Sequence, residues 1–212
     1  MDIYQTEEQQ VDAIKSYWKS NGTYIIAGLV IGFSGFIGFN VYKDNKLAEE
    51  LALADAYQAV LETNSVDSAA FITAGDKFIS ENAKTTYSAF TALALAKESA
   101  TNKSWEDAVK YLNLAIDNAP SQSITAIATV RLARVQIQLN DVEAALSTLS
   151  AKLPASFVAA VEEVKGDAYI QQEKTELART AYQAAINAGG LSASPALQMK
   201  LDDLAEVVNL PK

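Results

Sequence analysis

The chain has 212 residues, half of them hydrophobic, with a formal net charge of −9 and neither cysteine nor histidine. Without thiol or imidazole it has no disulfides, no usual zinc or copper ligands and none of the nucleophile–base pairs built on Cys or His. Its acid excess opposes binding to a phosphate backbone, so no nucleic-acid partner is expected.

The first element read from the N-terminus is a leader, residues 1–23. Thr6-Glu7-Glu8-Gln9 has the form of a capping box, Val11, Ile14, Tyr17 and Trp18 follow at helical spacing, and Asn21-Gly22 supplies a stop. This predicts a short amphipathic helix that lies on a membrane surface, grips a partner or seats the next segment in the interface.

From Ser20 to Tyr42, 23 consecutive residues carry no charged side chain. At about 1.5 Å of rise per residue, that run crosses a hydrocarbon core of about 30 Å. It predicts a transmembrane helix over 24–42, bracketed by Tyr24 and Tyr42 where amphipathic rings favour the lipid boundary. A cleaved signal sequence would have a shorter apolar core, a basic leader and a small-residue site directly behind it. Here Asp2, Glu7, Glu8 and Asp12 stand against Lys15 and Lys19, and Ala52-Leu53-Ala54 lies well beyond the run. A buried helix of a soluble protein is the third reading. Gly28, Gly32 and Gly35 share one helical face, which suits close approach of a membrane partner, although glycine is common in spanning helices generally. Lys15 and Lys19 before the span match Lys43 and Lys46 after it, so charge alone gives no orientation.

Residues 43–212 hold 15 Lys and Arg against 22 Asp and Glu, a formal charge of −7. They are rich in Ala, Leu, Glu, Lys and Gln and lack sustained alternation, which predicts helices near 46–63, 66–82, 86–100, 104–118, 122–139, 141–152, 156–172, 175–188 and 194–208. These come in pairs. Ala96, Ala133 and Gly166 align in the first helix of each pair, and Ala108, Ala145 and Ala178 in the second, both sets separated by 37 and then 33 positions. Leu112, Leu149 and Tyr182 follow four residues after each second-helix alanine. The pattern resembles the tetratricopeptide repeat, with units near 86–120, 122–154 and 156–190 and a C-terminal helix at 194–208. The third unit fits best, through Gly166, Tyr169, Ala178, Tyr182 and Ala185; the second is loose, with Lys152 and Gln136 where alanine and tyrosine are usual. A nonrepeating bundle with alanine-rich contacts is the alternative.

In such repeats the first helices line a concave face. That face would present Phe90, Leu93 and Lys97, then Ile127, Val130, Arg134 and Ile137, then Glu163, Asp167 and Ile170. An apolar floor with scattered charges suits a peptide segment whose hydrophobic side chains need cover; alternatively the C-terminal helix folds back and fills the groove. Adjacent carboxylates such as Glu162/Glu163 and Asp202/Asp203 diverge by about 100 degrees on a helix, so they read as solvated surface, not a glycosidase pair. No phosphate loop or nucleophile motif occurs, and neither catalysis, cofactor nor metal is expected.

Taken together, EEQQVDAIKSYWKSNG, AGLVIGFSGFIGF, LADAYQAVL, TVRLARVQIQLNDVEAALSTL, GDAYIQQ and PALQMKLDDL resemble the YfgM family, ancillary subunits of the bacterial SecYEG translocon. The resemblance implies an all-α protein with a single N-terminal transmembrane helix and a TPR-like helical-hairpin domain. It further implies an inner-membrane location, N-terminus cytoplasmic and residues 43–212 periplasmic. The implied partners are SecYEG, a membrane-anchored periplasmic chaperone of the PpiD type and unfolded client proteins; the implied function is an adaptor that helps pass translocated proteins to periplasmic chaperones. Negative regulation of a stress-response pathway through the cytoplasmic leader is the alternative, and it predicts that deleting residues 2–16 abolishes regulation while sparing translocon association.

Overall fold

The computed structural model describes residues 7–64 and 67–204, and among these every regular element is helical. The chain divides into two units, residues 1–53 and 54–212.

In the first unit runs most of α1 (Glu7–Asn64), an uninterrupted helix of 58 residues. The expected stop at Asn21-Gly22 does not break it. Asn21 turns its amide back to donate to the Tyr17 carbonyl at 3.2 Å, and Gly22 lies buried beneath the Trp18 indole. The indole thus occupies the gap that glycine leaves, and the leader and the apolar run share one helix. The proposed cap residue Thr6 lies outside the described residues. Among the described residues α1 is the one helix long and apolar enough to cross a membrane; its best 18-residue window has a mean hydropathy of 1.8 and is wholly unburied.

The second unit takes up the end of α1 and then α2 (Ser68–Glu81), α3 (Thr86–Thr101), α4 (Trp105–Asn118), α5 (Gln122–Gln138), α6 (Val142–Thr148), α7 (Val158–Gln171), α8 (Thr175–Asn187) and α9 (Ala196–Asp202). Starts follow capping chemistry: Asp67, Thr85, Ser121 and Asp141 each accept a backbone N–H of the first turn on a side-chain oxygen. The turns inside the three hairpins are copies of one another. Lys103, Asn140 and Glu173 have φ of 59, 62 and 59 degrees, and Ser104, Asp141 and Lys174 each donate back to the carbonyl five residues earlier. The left-handed residue ends the first helix and turns the chain sharply enough to lay the second against it. Two helices are shorter than expected. α6 ends at Thr148, which leaves Lys152 exposed beyond it, and α9 ends at Asp202, with residues 205–208 outside the described residues.

The aligned small residues form the core. Ala108, Ala145 and Ala178 are wholly buried, as are Ala133, Ala115 and Ala185. Val130, Ala133, Ala145, Leu149, Val161 and Val164 form one continuous cluster joining α5, α6 and α7. The end of α1 is held by Tyr57, whose ring packs on those of Phe78 and Tyr87 at centroid distances of 6.4 and 5.3 Å. At the other end α9 closes the stack: Leu197 is fully buried against Ala178, Tyr182 and Ala185. Burying that side chain contributes about 1.5–3 kcal/mol.

Candidate interaction surface

On α1, among the described residues and apart from the local helix backbone and the adjacent residues, no atom lies within 4 Å of where a Cβ would stand on Gly28, Gly32 or Gly35. Gly28 and Gly32 border a shallow hollow with Leu29, Phe33 and Phe36. The ridge of small residues is therefore uncovered among the described residues.

In the repeat domain, Leu93, Ala96, Lys97 and Ala100 on one face of α3 meet Arg131, Arg134 and Val135 of α5 around a cleft of about 290 Å³, with Leu112 at its base. A second recess of about 450 Å³ adjoins it through Arg134 and Val135 and is lined by Trp105, Ile137, Gln138, Asp167 and Lys200. The structure thus brings Leu93, Lys97, Arg134 and Ile137 to neighbouring recesses. Phe90, Ile127 and Ile170 lie outside both, Phe90 and Ile170 on the exposed surface and Ile127 half-buried. Val130, at 5% exposure, belongs to the core.

The third-unit end of the face carries a polar cluster in which α9 takes part. Lys200 Nζ donates to Glu163 Oε1 at 2.9 Å and to both Asp167 oxygens at 2.8 and 2.9 Å. Ser194 donates to the same Glu163 oxygen, and the Tyr182 hydroxyl donates to Asp167 Oδ1 at 2.8 Å. Burial by itself would push Glu163 up; the hydrogen bonds from Lys200 and Ser194, with the charges of Lys200 and Arg134, outweigh it and hold the carboxyl below its ordinary range. Burial likewise opposes charge on Lys200, but its bonds to the two carboxylates win and raise it. Desolvation and then the Asp167 bond raise Tyr182. Among the described residues the C-terminal helix therefore covers the Glu163/Asp167 end of the face and does not fill the recesses at Arg134. Lys200, Ser194, Trp105 and Arg131 are absent from the residues expected from sequence. Lys200 had a signal: Lys97, Arg134 and Asp167 stand 37 and 33 positions apart, and one more step of 33 reaches it.

An apolar helix of spanning length followed by hairpins stacked in a repeating register defines a tetratricopeptide repeat-like protein, and the tetratricopeptide repeat-like domain family matches residues 15–206. The solved structure of the MamA RS-1 ArsTM double mutant has a similar fold, with a TM-score of 0.55 at 16% identity over 72% of this chain and 81% of that one. The chain belongs, within this repeat class, to the YfgM family of ancillary SecYEG translocon subunits. It is 30% identical to the Escherichia coli (strain K12) ancillary SecYEG translocon subunit over 206 residues, 97% of this chain and 100% of the relative. The Haemophilus influenzae subunit is 30% identical over 93% of this chain and 97% of its own length, and the Neisseria gonorrhoeae subunit 26% identical over 96% and 100%.

Proposed function

We propose that this protein is a membrane-anchored adaptor at the Sec translocon, with residues 24–42 spanning the inner membrane, the leader cytoplasmic and the repeat domain periplasmic. The observation that carries the reading is the near end-to-end match to ancillary SecYEG translocon subunits, apolar helix included. Gly28, Gly32 and Gly35 supply a free face for a translocon or chaperone helix, and the clefts around Lys97 and Arg134 supply a surface for a chaperone of the PpiD type or an emerging client. Anchoring raises the local concentration of that surface at the exit site, so weak contacts suffice. The reading assigns no catalytic residue.

The test is affinity purification of the full-length protein from membranes in mild detergent. SecYEG should co-purify, and protease added to intact spheroplasts should digest the repeat domain. Release of the protein by alkaline carbonate, or purification without SecYEG, would sink the reading.

A further inference from the structure

Lys97, Arg134, Asp167 and Lys200 occupy one register position on four successive first helices, α3, α5, α7 and α9. Asp167 is engaged on both oxygens by Lys200 and on one by Tyr182, and Glu163 shares that Lys200. The acidic end of the face is thereby satisfied internally. What stays open is positive: Lys97 and Arg134, joined by Arg131 one turn earlier on α5.

All three cations are exposed, and none has an ion pair among the described residues. Arg134 feels the charge of Glu163, but Lys200 already bridges that carboxylate. The three ring the 290 Å³ cleft, whose apolar floor includes Leu93, Leu112 and Val135, and among the described residues no carboxylate lines it. From residue 43 onward the chain carries a formal −7, so three bare cations around an apolar hollow run against the composition that surrounds them. Exposed as they are, they contribute little to packing, and grouped like charges repel one another; both facts point to a counter-charge supplied from outside.

We propose that this cleft binds acidic peptide segments: an apolar side chain of leucine or phenylalanine size enters between α3 and α5, and flanking Asp or Glu residues pair with Lys97, Arg131 and Arg134. The adjoining recess beside Trp105 and Ile137 takes the next apolar side chain. Lys200 offsets one of the two negative charges of Glu163 and Asp167, which lessens their repulsion of such a segment. The inference rests on the adaptor reading only in treating this face as peptide-binding.

The experiment measures fluorescence anisotropy of two labelled peptides against the full-length protein in detergent micelles. The peptides share the same leucines; one carries glutamates between them and the other lysines. The glutamate peptide should bind at least about tenfold more tightly, and added salt should weaken it. Arg131→Glu combined with Arg134→Glu should erase the preference, while Arg134→Lys should keep it. Unchanged helical circular dichroism separates these effects from misfolding. Equal or tighter binding of the lysine peptide, or an affinity for the glutamate peptide that the double reversal leaves untouched, overturns the proposal. If neither peptide binds while SecYEG still co-purifies, this inference fails and the adaptor reading stands. If the peptides discriminate and SecYEG is absent, the reverse holds.

Discussion

Gly166 of α7 and Tyr182 of α8 share one volume: a Cβ on Gly166 would stand 2.2 Å from Cε1 of the tyrosine ring. In the two preceding units the same positions are Ala96 with Leu112 and Ala133 with Leu149, a methyl more on one helix and a ring less on the other. At these positions each hairpin thus sets a smaller residue on one helix against a larger one on the other, with compensating sizes. Gly166→Ala should destabilise the domain by about 1–3 kcal/mol, because the ring must leave its rotamer and its bond to Asp167. Adding Tyr182→Leu relieves the clash, so denaturant unfolding should find the double variant more stable than Gly166→Ala alone. A double variant no better than the single one would show that the crossing is not the source of the cost.

Lys200 should control the response to acid. Glu163 is held below its ordinary value, so its contribution to stability is fully present above about pH 4.5 and is lost as pH falls through the folded value. In Lys200→Gln the cation is gone, and the upward push of burial on Glu163 is opposed by the Ser194 bond and the Arg134 charge without it. That variant should lose about 1–3 kcal/mol at neutral pH and regain ground on the parent as pH falls toward 4.5. Unfolding curves across this range check the crossing; parallel curves for parent and variant would place the ion cluster outside the stability of α9.

The alkaline limb has the opposite sign. Tyr57 is raised by burial and then by Tyr87, Tyr182 by burial and Asp167, and Tyr111 is pushed up to about 12 by burial, the Asp76 charge and the hydrogen bond it donates to Asp76 at 3.3 Å. Lys200 is raised as well. Each favours the protonated form in the folded state, so their contributions are complete below about pH 10 and are lost as pH rises through the folded values. Phenolate absorption should show these three of the nine tyrosines titrating late, together with loss of helical circular dichroism. Early titration of all nine would contradict the packing around Tyr57, Tyr111 and Tyr182.

The repeat was legible where small and large residues kept their places, as at Ala108/Leu112, Ala145/Leu149 and Ala178/Tyr182. It was not legible in α2. Its cap, Asp67, stands 37 positions before Ser104, and in that register Phe71 falls where the alanines are and Gly75 where the large residues are. The sizes are exchanged: Phe71 is fully buried, and Leu95 fills the space over Gly75, 2.8 Å from where its Cβ would be. A conserved volume with swapped contributors leaves no pattern in one sequence. The groove was half legible: periodicity places Leu93, Lys97 and Arg134 on a face and one further step of 33 reaches Lys200, but it cannot tell that Val130 turns into the core or that Lys200 is taken up by Glu163 and Asp167. The stop at Asn21-Gly22 misled for a local reason, since the signal of a break was cancelled by a ring one turn earlier.

On α1 the free glycine face gives a clean separation between fold and assembly. Among the described residues, and apart from the local helix backbone and the adjacent residues, nothing lies within 4 Å of a Cβ at Gly32, so Gly32→Ile should leave unfolding of the repeat domain unchanged. Between membrane helices, small residues allow backbones to approach, and a β-branched side chain in the middle of the face holds them apart. Recovery of SecYEG with the affinity-purified variant should therefore fall by about tenfold, the equivalent of roughly 1.4 kcal/mol. Undiminished recovery would mean that Gly28, Gly32 and Gly35 reflect only the ordinary glycine content of a spanning helix, and contact with the translocon would then have to come from the leader or from the repeat domain.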